Sequence, residues 1–278
     1  MAPHSLAVFG ITGRMGQSLI RALRDDSQFQ LQGAQFKLQA AIASASSPRL
    51  GQDAAAEGEA TGVMITADPD AALEHASVAL DFSLGSAVAA HARACAKRSV
   101  PLLVGATGFD ATAKDELTRA ASSIAVLIAP NTSVGVAVLN QLAAAATRAL
   151  GAAYEVDISE AHHRLKRDAP SGTALHLGET IAAARAVPLS QVAVYEGQGH
   201  EGHGADSRRK IGSIGFSVVR AGDIVGEHTV TFTGAGERLE FTHRATDRIT
   251  FARGALRGAA WLIGRPAGLY GMKDVLRI

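Results

Sequence analysis

The chain has 278 residues, 47% hydrophobic, 19% charged and 5% aromatic, with a net charge of +1. That length suits two domains better than one core, and the near-neutral balance lacks the basic excess that marks nucleic-acid binding. One cysteine, Cys95, excludes an internal disulfide framework and fits a reducing, cytoplasmic setting.

The first residues run straight into an apolar strand, residues 5–9, without the charged and hydrophobic regions of a leader. Next come Gly10, Gly13 and Gly16, then a helical pattern carrying Leu19, Ile20 and Leu23. Strand, glycine turn and helix are the setting of a dinucleotide fingerprint: one glycine for the tight turn, one for approach to a pyrophosphate, one for helix–strand packing. Thr12 stands where the second glycine of that fingerprint usually sits. A second strand, residues 38–43, should end in an acid if the fold held an NAD ribose. Ser44 and Arg49 follow instead, with no carboxylate before Asp53, which favours the 2′-phosphate of NADPH over NADH. Residues 50–61 read as a loose, small-residue connection.

Three more apolar strands follow at residues 78–82, 101–104 and 124–128, separated by helices at 87–97 and 110–121, the latter capped by Asp110. Alternation at this spacing predicts a parallel, doubly wound sheet whose ligands sit at the carboxyl ends of the strands. Those ends carry residues 10–16, 81–83, 105–107 and 129–133, all small or polar.

A helix over residues 134–150 leads out of this sheet. It is too often interrupted, by Asn140, Gln141, Thr147 and Arg148, to suggest a membrane partner. Residues 154–160 then alternate as a half-exposed strand and deliver the densest polar stretch in the chain, residues 160–174. Its two adjacent histidines, His162 and His163, its basic Arg164, Lys166 and Arg167, and the helix start at Gly172 and Thr173 suit an anion: free N–H groups and the positive helix end face it, with a candidate acid at hand. So polar a stretch is expected at a cleft edge rather than buried. Residues 196–204 are glycine-rich and read as a lid or surface loop. Their His200 and His203 lack the spacing of a helical zinc pair, and no metal is expected. Residues 214–220, 227–232 and 237–243 read as antiparallel strands, and residues 249–262 as a helix returning to the first domain.

Together, Gly10, Gly13 to Gly16, residues 104–109, residues 130–136, residues 160–174 and residues 219–228 resemble the dihydrodipicolinate (4-hydroxy-tetrahydrodipicolinate) reductase family, in order along nearly the whole chain. The resemblance implies an α/β fold: a Rossmann-type, doubly wound parallel sheet domain over residues 1–132 and 244–278, and a smaller α+β domain with an open mixed sheet over residues 133–243 that binds substrate and builds a homotetramer. It places NADPH or NADH on Gly10, Ile11, Thr12, Gly13, Arg14, Met15, on Gly105, Ala106, Thr107, and on Ala129, Pro130, Asn131, Thr132, to which the position of Ser44 after the second strand adds a ribose contact. It makes His162 and Lys166 the proton-handling pair and puts His163, Gly172 and Thr173 on the carboxylates of a small cyclic dicarboxylate. The acid that many members carry after the second strand is missing around Ala43 and Ser44. Two rival readings are another Rossmann-type dehydrogenase of an amino or hydroxy acid, and a non-catalytic NAD(P)-sensing protein. The intact pattern of His162, His163, Lys166 and Ser171 to Thr173 argues against the second.

Overall fold

In the computed structural model, which describes residues 2–25, 35–195 and 210–277, the chain separates into two units: Met1–Val134 with Arg248–Ile278, and Gly135–Asp247. The first contains β1 (His4–Phe9), α1 (Arg14–Asp25), β2 (Phe36–Ile42), β3 (Ile65–Thr66), α2 (Pro69–Ala72), β4 (Val78–Asp81), α3 (Val88–Lys97), β5 (Leu102–Val104), α4 (Ala111–Ala120) and β6 (Ala125–Ile128). The second begins with most of α5 (Val134–Leu150), then β7 (Glu155–His162), α6 (Gly172–Ala184), α7 (Leu189–Val192), β8 (Ala193–Tyr195), β9 (Ile214–Arg220), β10 (Gly226–Thr233) and β11 (Arg238–Ala245). The chain then returns to the first unit through α8 (Ile249–Leu262), β12 (Gly268–Tyr270) and α9 (Met272–Leu276).

The seven-stranded sheet has the order β12-β6-β5-β4-β1-β2-β3, with every neighbouring pair parallel. Successive strands step to one side from β1 to β3 and to the other from β4 to β6, so the order reverses between β1 and β4, where such sheets bind ligands. Helices cover both faces, which is why β1, β4, β5 and β6 read as continuous apolar runs. Leu6, Phe9, Leu80, Leu102, Leu103 and Leu127 are fully buried, each contributing roughly 1.5–3 kcal/mol by leaving water. Asp110 caps α4 by accepting from the Ala113 N–H at 2.9 Å. Helix α8 lies close on this sheet because its inner residues are small: a Cβ on Gly258 would come within 2.7 Å of the Leu103 side chain. The two- and three-residue strands β3 and β12 carry no readable period. Residues 50–61, which read as a loose connection, are fastened by Asp53, whose carboxylate accepts from the Ala55, Thr61 and Gly62 N–H groups and the Thr61 hydroxyl. The Thr61 amide chiefly holds that carboxyl down at about 2.

The second unit is a five-stranded sheet, β11-β10-β7-β9-β8. Strands β11, β10 and β7 are antiparallel, whereas β9 runs parallel to β7 and to β8. The three strands expected to be antiparallel, β9, β10 and β11, do alternate in direction, but β9 pairs with β7 and β8 and not with β10. The turn after β9 does not form a hairpin; it passes over the end of β7, with the Ala221 N–H on the His162 carbonyl and the Arg164 N–H on the Gly222 carbonyl, and sets β10 on the far side. One sheet face packs Val156, Ile158, Ile214, Phe216, Val230 and Phe232 against Leu139 and Ala143 of α5 and Leu177 and Ile181 of α6. The other face alternates outward with Ser159, Ser217, Thr229 and Thr242, which hydrogen-bond in pairs across strands. By length and composition the segment Val134–Ala153 reaches what a bilayer crossing needs, contrary to the sequence expectation, but Leu139, Ala143 and Thr147 are buried inside the second unit.

Candidate functional site

At the carboxyl edge of the parallel sheet, Gly10 has φ +76°, and a Cβ there would lie 2.6 Å from the Phe82 carbonyl oxygen. A Cβ on Gly16 would fall 2.3 Å from the Ile11 carbonyl oxygen. These contacts let β1 turn within one residue and bring the first turn of α1 to the strand end, leaving a cradle of backbone that a dinucleotide fits. Thr12, Gly13 and Arg14 are exposed at its rim, while Ile11 is fully buried and presents only its backbone. Gly105, Ala106 and Thr107 follow β5, with the Gly105 and Ala106 N–H groups both on the Asp81 carbonyl at 2.9 and 3.0 Å. Ala129, Pro130, Asn131 and Thr132 follow β6. The Thr132 hydroxyl is committed to the Phe251 carbonyl at 2.7 Å and the Asn131 carboxamide accepts from the Ser133 N–H, so Thr132 fastens α8 rather than offering its side chain. Ser44 is exposed at the end of β2 with its hydroxyl 2.9 Å from that of Ser46. Arg49 departs from its expected part: its Nη2 donates to the carbonyls of Asp53 and Ala55 at 2.7 and 2.9 Å, so it braces the loop.

In the second unit the polar stretch divides. Lys166 is half-buried and pairs with Asp168 at 2.9 Å; His163 and Thr173 are half-buried, and Arg164, Arg167 and Gly172 are exposed. Glu160, His162 and Ser171, in contrast, are 3%, 8% and 2% exposed. The expectation that the whole stretch lies open at a cleft edge is therefore corrected. Strand β7 continues through His162, and each buried group has a partner, the condition for burying it.

Glu160 is the centre of that arrangement. Its Oε2 accepts from His162 Nδ1 at 2.5 Å and from Arg220 Nη1 at 2.9 Å. Its Oε1 accepts from Arg220 Nη2 at 2.8 Å and from the Ser171 N–H at 3.0 Å. Burial alone would raise the Glu160 pKa, but the hydrogen bonds from His162 and Arg220 outweigh it and hold the carboxyl at about 2. An ionised carboxylate only accepts, so His162 carries its proton on Nδ1 and keeps Nε2 for other work. Gly226 leaves room there, since a Cβ on it would sit 3.1 Å from His162 Nε2. His228 stands edge-on to His162, with ring centroids 5.2 Å apart, and its Nε2 lies 3.1 Å from the Ser171 hydroxyl, which also caps α6 at the Ala174 N–H. Burial, with His162 nearby, pushes His228 down to about 3. Its Nδ1 is buried without a partner among the described residues.

The roles of Glu160, Ser171, Arg220 and His228 are not assigned by the sequence patterns, yet a signal for the strand residues is present. Glu160 and His162 fall on the inward parity of Val156 and Ile158, His228 on that of Val230 and Phe232, and Arg220 on that of Ile214 and Phe216. A polar residue on an inward position implies a buried partner. His200 and His203 lie outside the described residues. Among the described residues no three His, Cys, Asp or Glu side chains gather as a metal site would require.

A doubly wound sheet with a glycine cradle, joined to a unit with a buried imidazole–carboxylate–guanidinium group, defines an oxidoreductase of the pyridine-nucleotide class. The N-terminal profile of dihydrodipicolinate reductase matches residues 4–132 and the C-terminal profile residues 135–276. The chain belongs to the dihydrodipicolinate reductase family. It is 46% identical over 272 residues to 4-hydroxy-tetrahydrodipicolinate reductase of Thiobacillus denitrificans, covering 98% of this chain and 97% of that one. It is 43% identical over 277 residues to the enzyme of the same name from Nitrosospira multiformis, covering 99% and 98%. Among solved structures, a dipicolinate-bound dihydrodipicolinate reductase from Paenisporosarcina sp. TG-14 has the same fold, with a TM-score of 0.74 at 21% identity, covering 98% and 99%.

Proposed function

We propose that the chain reduces 4-hydroxy-tetrahydrodipicolinate to tetrahydrodipicolinate, the reductase step of the diaminopimelate route to lysine, with His162 and Lys166 moving the proton. Family membership supports the reaction, and the Glu160–His162–Arg220 arrangement carries the assignment of the site. The substrate is a ring with two carboxylates. Its hydroxyl leaves as water, giving a conjugated imine. A hydride adds to the ring carbon at the far end of the conjugation, the π electrons shift toward the imine side, and one proton completes the product. Gly10 to Met15, Gly105 to Thr107 and Ala129 to Thr132 would hold the nicotinamide dinucleotide, which when bound would supply that hydride.

The protein holds the carboxylates and manages charge. His163, the first-turn N–H groups at Gly172 and Thr173 and the positive end of α6 receive carboxylate oxygens. Lys166, whose present partner Asp168 is an exposed carboxylate, turns to the substrate as the charge develops and gives up a proton. His162, fixed through Nδ1 by Glu160, exchanges its proton only at Nε2, and Arg220 balances the carboxylate so that this exchange does not strand a buried charge. NADPH is the preferred nucleotide, because Ser44 and Ser46 offer hydroxyls and no carboxylate where the ribose would lie. The enzyme acts in the cytoplasm as a homotetramer joined through the open sheet face, where Val219, on the parity of Ser217, is 52% exposed.

The test is a coupled assay: form the substrate from pyruvate and aspartate semialdehyde with its synthase, then follow nucleotide absorbance. Oxidation is expected with a lower KM for NADPH than for NADH, and no oxidation of either would overturn the reading. Lys166→Ala should lower kcat by about 10²–10³, in the range of a lost general acid, with the nucleotide KM unchanged; equal losses in both would remove Lys166 from the chemistry. Light scattering should give four times the chain mass.

A further inference from the structure

Between the two glycine turns of the nucleotide crevice lies the end of β4, and the groups that hold it there have no part in the roles above. Asp81 is fully buried. Its Oδ1 accepts from the Ser83 N–H at 2.9 Å, and its Oδ2 lies 2.8 Å from His91 Nδ1, on the first turns of α3. The His91 ring stacks on Phe9, the last residue of β1, with centroids 4.0 Å apart and planes 17° from parallel. His91 thus touches the ends of both strands flanking the topological switch point. What it pins is Phe82. The Phe82 N–H donates to the Phe9 carbonyl at 3.1 Å, its carbonyl fills the space a Cβ on Gly10 would need, and its ring fills that of Gly105, where a Cβ would fall 2.1 Å from Cε1. Phe82 is therefore a spacer wedged between the turn that meets the pyrophosphate and the turn after β5. Both glycines are obliged by this one residue.

We propose that His91 is a positioning residue for the nucleotide: through Asp81 it fixes the Phe82–Ser83 crest and hence the separation of the two glycine turns. The proposal rests on reading this strand edge as the nucleotide site. A buried carboxyl with so few donors depends heavily on each of them. Without His91 Nδ1, the crest keeps the Ser83 turn, the Phe82 N–H on Phe9 and the Gly105 and Ala106 N–H groups on the Asp81 carbonyl, but it loses the tie from Asp81 to α3, and the turns lose their set distance. Because His91 acts through Asp81 on the nucleotide crevice and has no part in the proton transfer proposed above, its loss should weaken nucleotide binding and leave the chemical step alone.

The variants are His91→Phe, which keeps a ring on Phe9 but removes the nitrogen, and His91→Asn, whose amide can still donate toward Asp81. Quenching of protein fluorescence or gain of NADPH fluorescence gives Kd, and steady-state assays give KM and kcat. For His91→Phe we expect Kd and KM for NADPH to rise about tenfold, the size of one hydrogen bond to a charged group, with kcat at saturating NADPH within about twofold of the parent. His91→Asn should recover most of the affinity. Unchanged NADPH affinity in folded His91→Phe would overturn the proposal. So would equal losses of affinity, kcat and thermal stability in both variants, or failure of His91→Phe to fold, because each makes the pair a prop for the whole unit. If the parent itself binds no nicotinamide dinucleotide, the crevice reading fails first and this proposal with it.

Discussion

The two binding ends of this chain are made from opposite materials. The nucleotide end is built by leaving side chains out: Gly10, Gly16 and Gly105 each stand where a Cβ would strike a neighbour, and the surface they leave is backbone. The end proposed to meet the substrate is built by putting polar and charged groups in: Glu160, His162, Arg220 and His228 stand at inward positions of the second sheet. The first depends on space and the second on charge balance. They should therefore fail differently, one by collision and the other by an uncompensated group.

The largest effect should come from upsetting that balance. Glu160→Gln leaves the half-buried Arg220 guanidinium without its carboxylate, and breaking a buried pair costs at most on the order of 3–5 kcal/mol. Chemical denaturation should show it, and adding Arg220→Met should recover a good part; a double variant no better than the single would mean that the pair is not the source. Gly16→Ala should cost less, roughly 1–3 kcal/mol of overpacking, but raise the NADPH KM while leaving the pH profile of kcat alone. A shifted pH profile there would blur the distinction between the two ends.

The smallest effect is in acid. Glu160, lowered from 4.5 to about 2, contributes stability that is complete above pH 4.5 and lost as pH falls through 2. His228, lowered from 6.5 to about 3 by burial, resists the proton that the unfolded chain accepts, so its share is complete above pH 6.5 and declines toward 3. His243, also lowered by burial, acts with the same sign. Between pH 6.5 and 4.5 the decline then belongs to the histidines rather than to Glu160. Melting temperatures of His228→Asn across that window should fall less steeply than those of the parent; an unchanged slope would contradict a buried, neutral His228.

How much could be read in advance follows the same division. The glycine turn, the alternation of apolar strands with helices and the Asp110 cap are local patterns within a few residues of one another, and they predict the doubly wound sheet. The Glu160 group joins residues 60 positions apart in sequence through Arg220 and 57 through Ser171 and His228, and depends on β9 lying parallel beside β7, a register no local pattern carries. The inward parity of Glu160, His162, Arg220 and His228 is written in the strands, but the density of polar residues over 160–174 reads as one open stretch and hides it for Glu160 and His162. Arg49 departs from expectation for a related reason: a guanidinium near a strand end suggests a phosphate, yet the carbonyls of its own loop reach it first.

Ser171 gives the second unit a reporter. Its amide proton points into the buried Glu160 carboxylate, while that of Gly172, next along the chain, lies at an exposed position. Hydrogen–deuterium exchange should therefore change sharply across one peptide bond, slow at Ser171, where release needs the β7 network to open, and fast at Gly172. When an anion binds the start of α6, only the second of these clocks should slow, so the two amides separate ligand capture from stiffening of the whole unit.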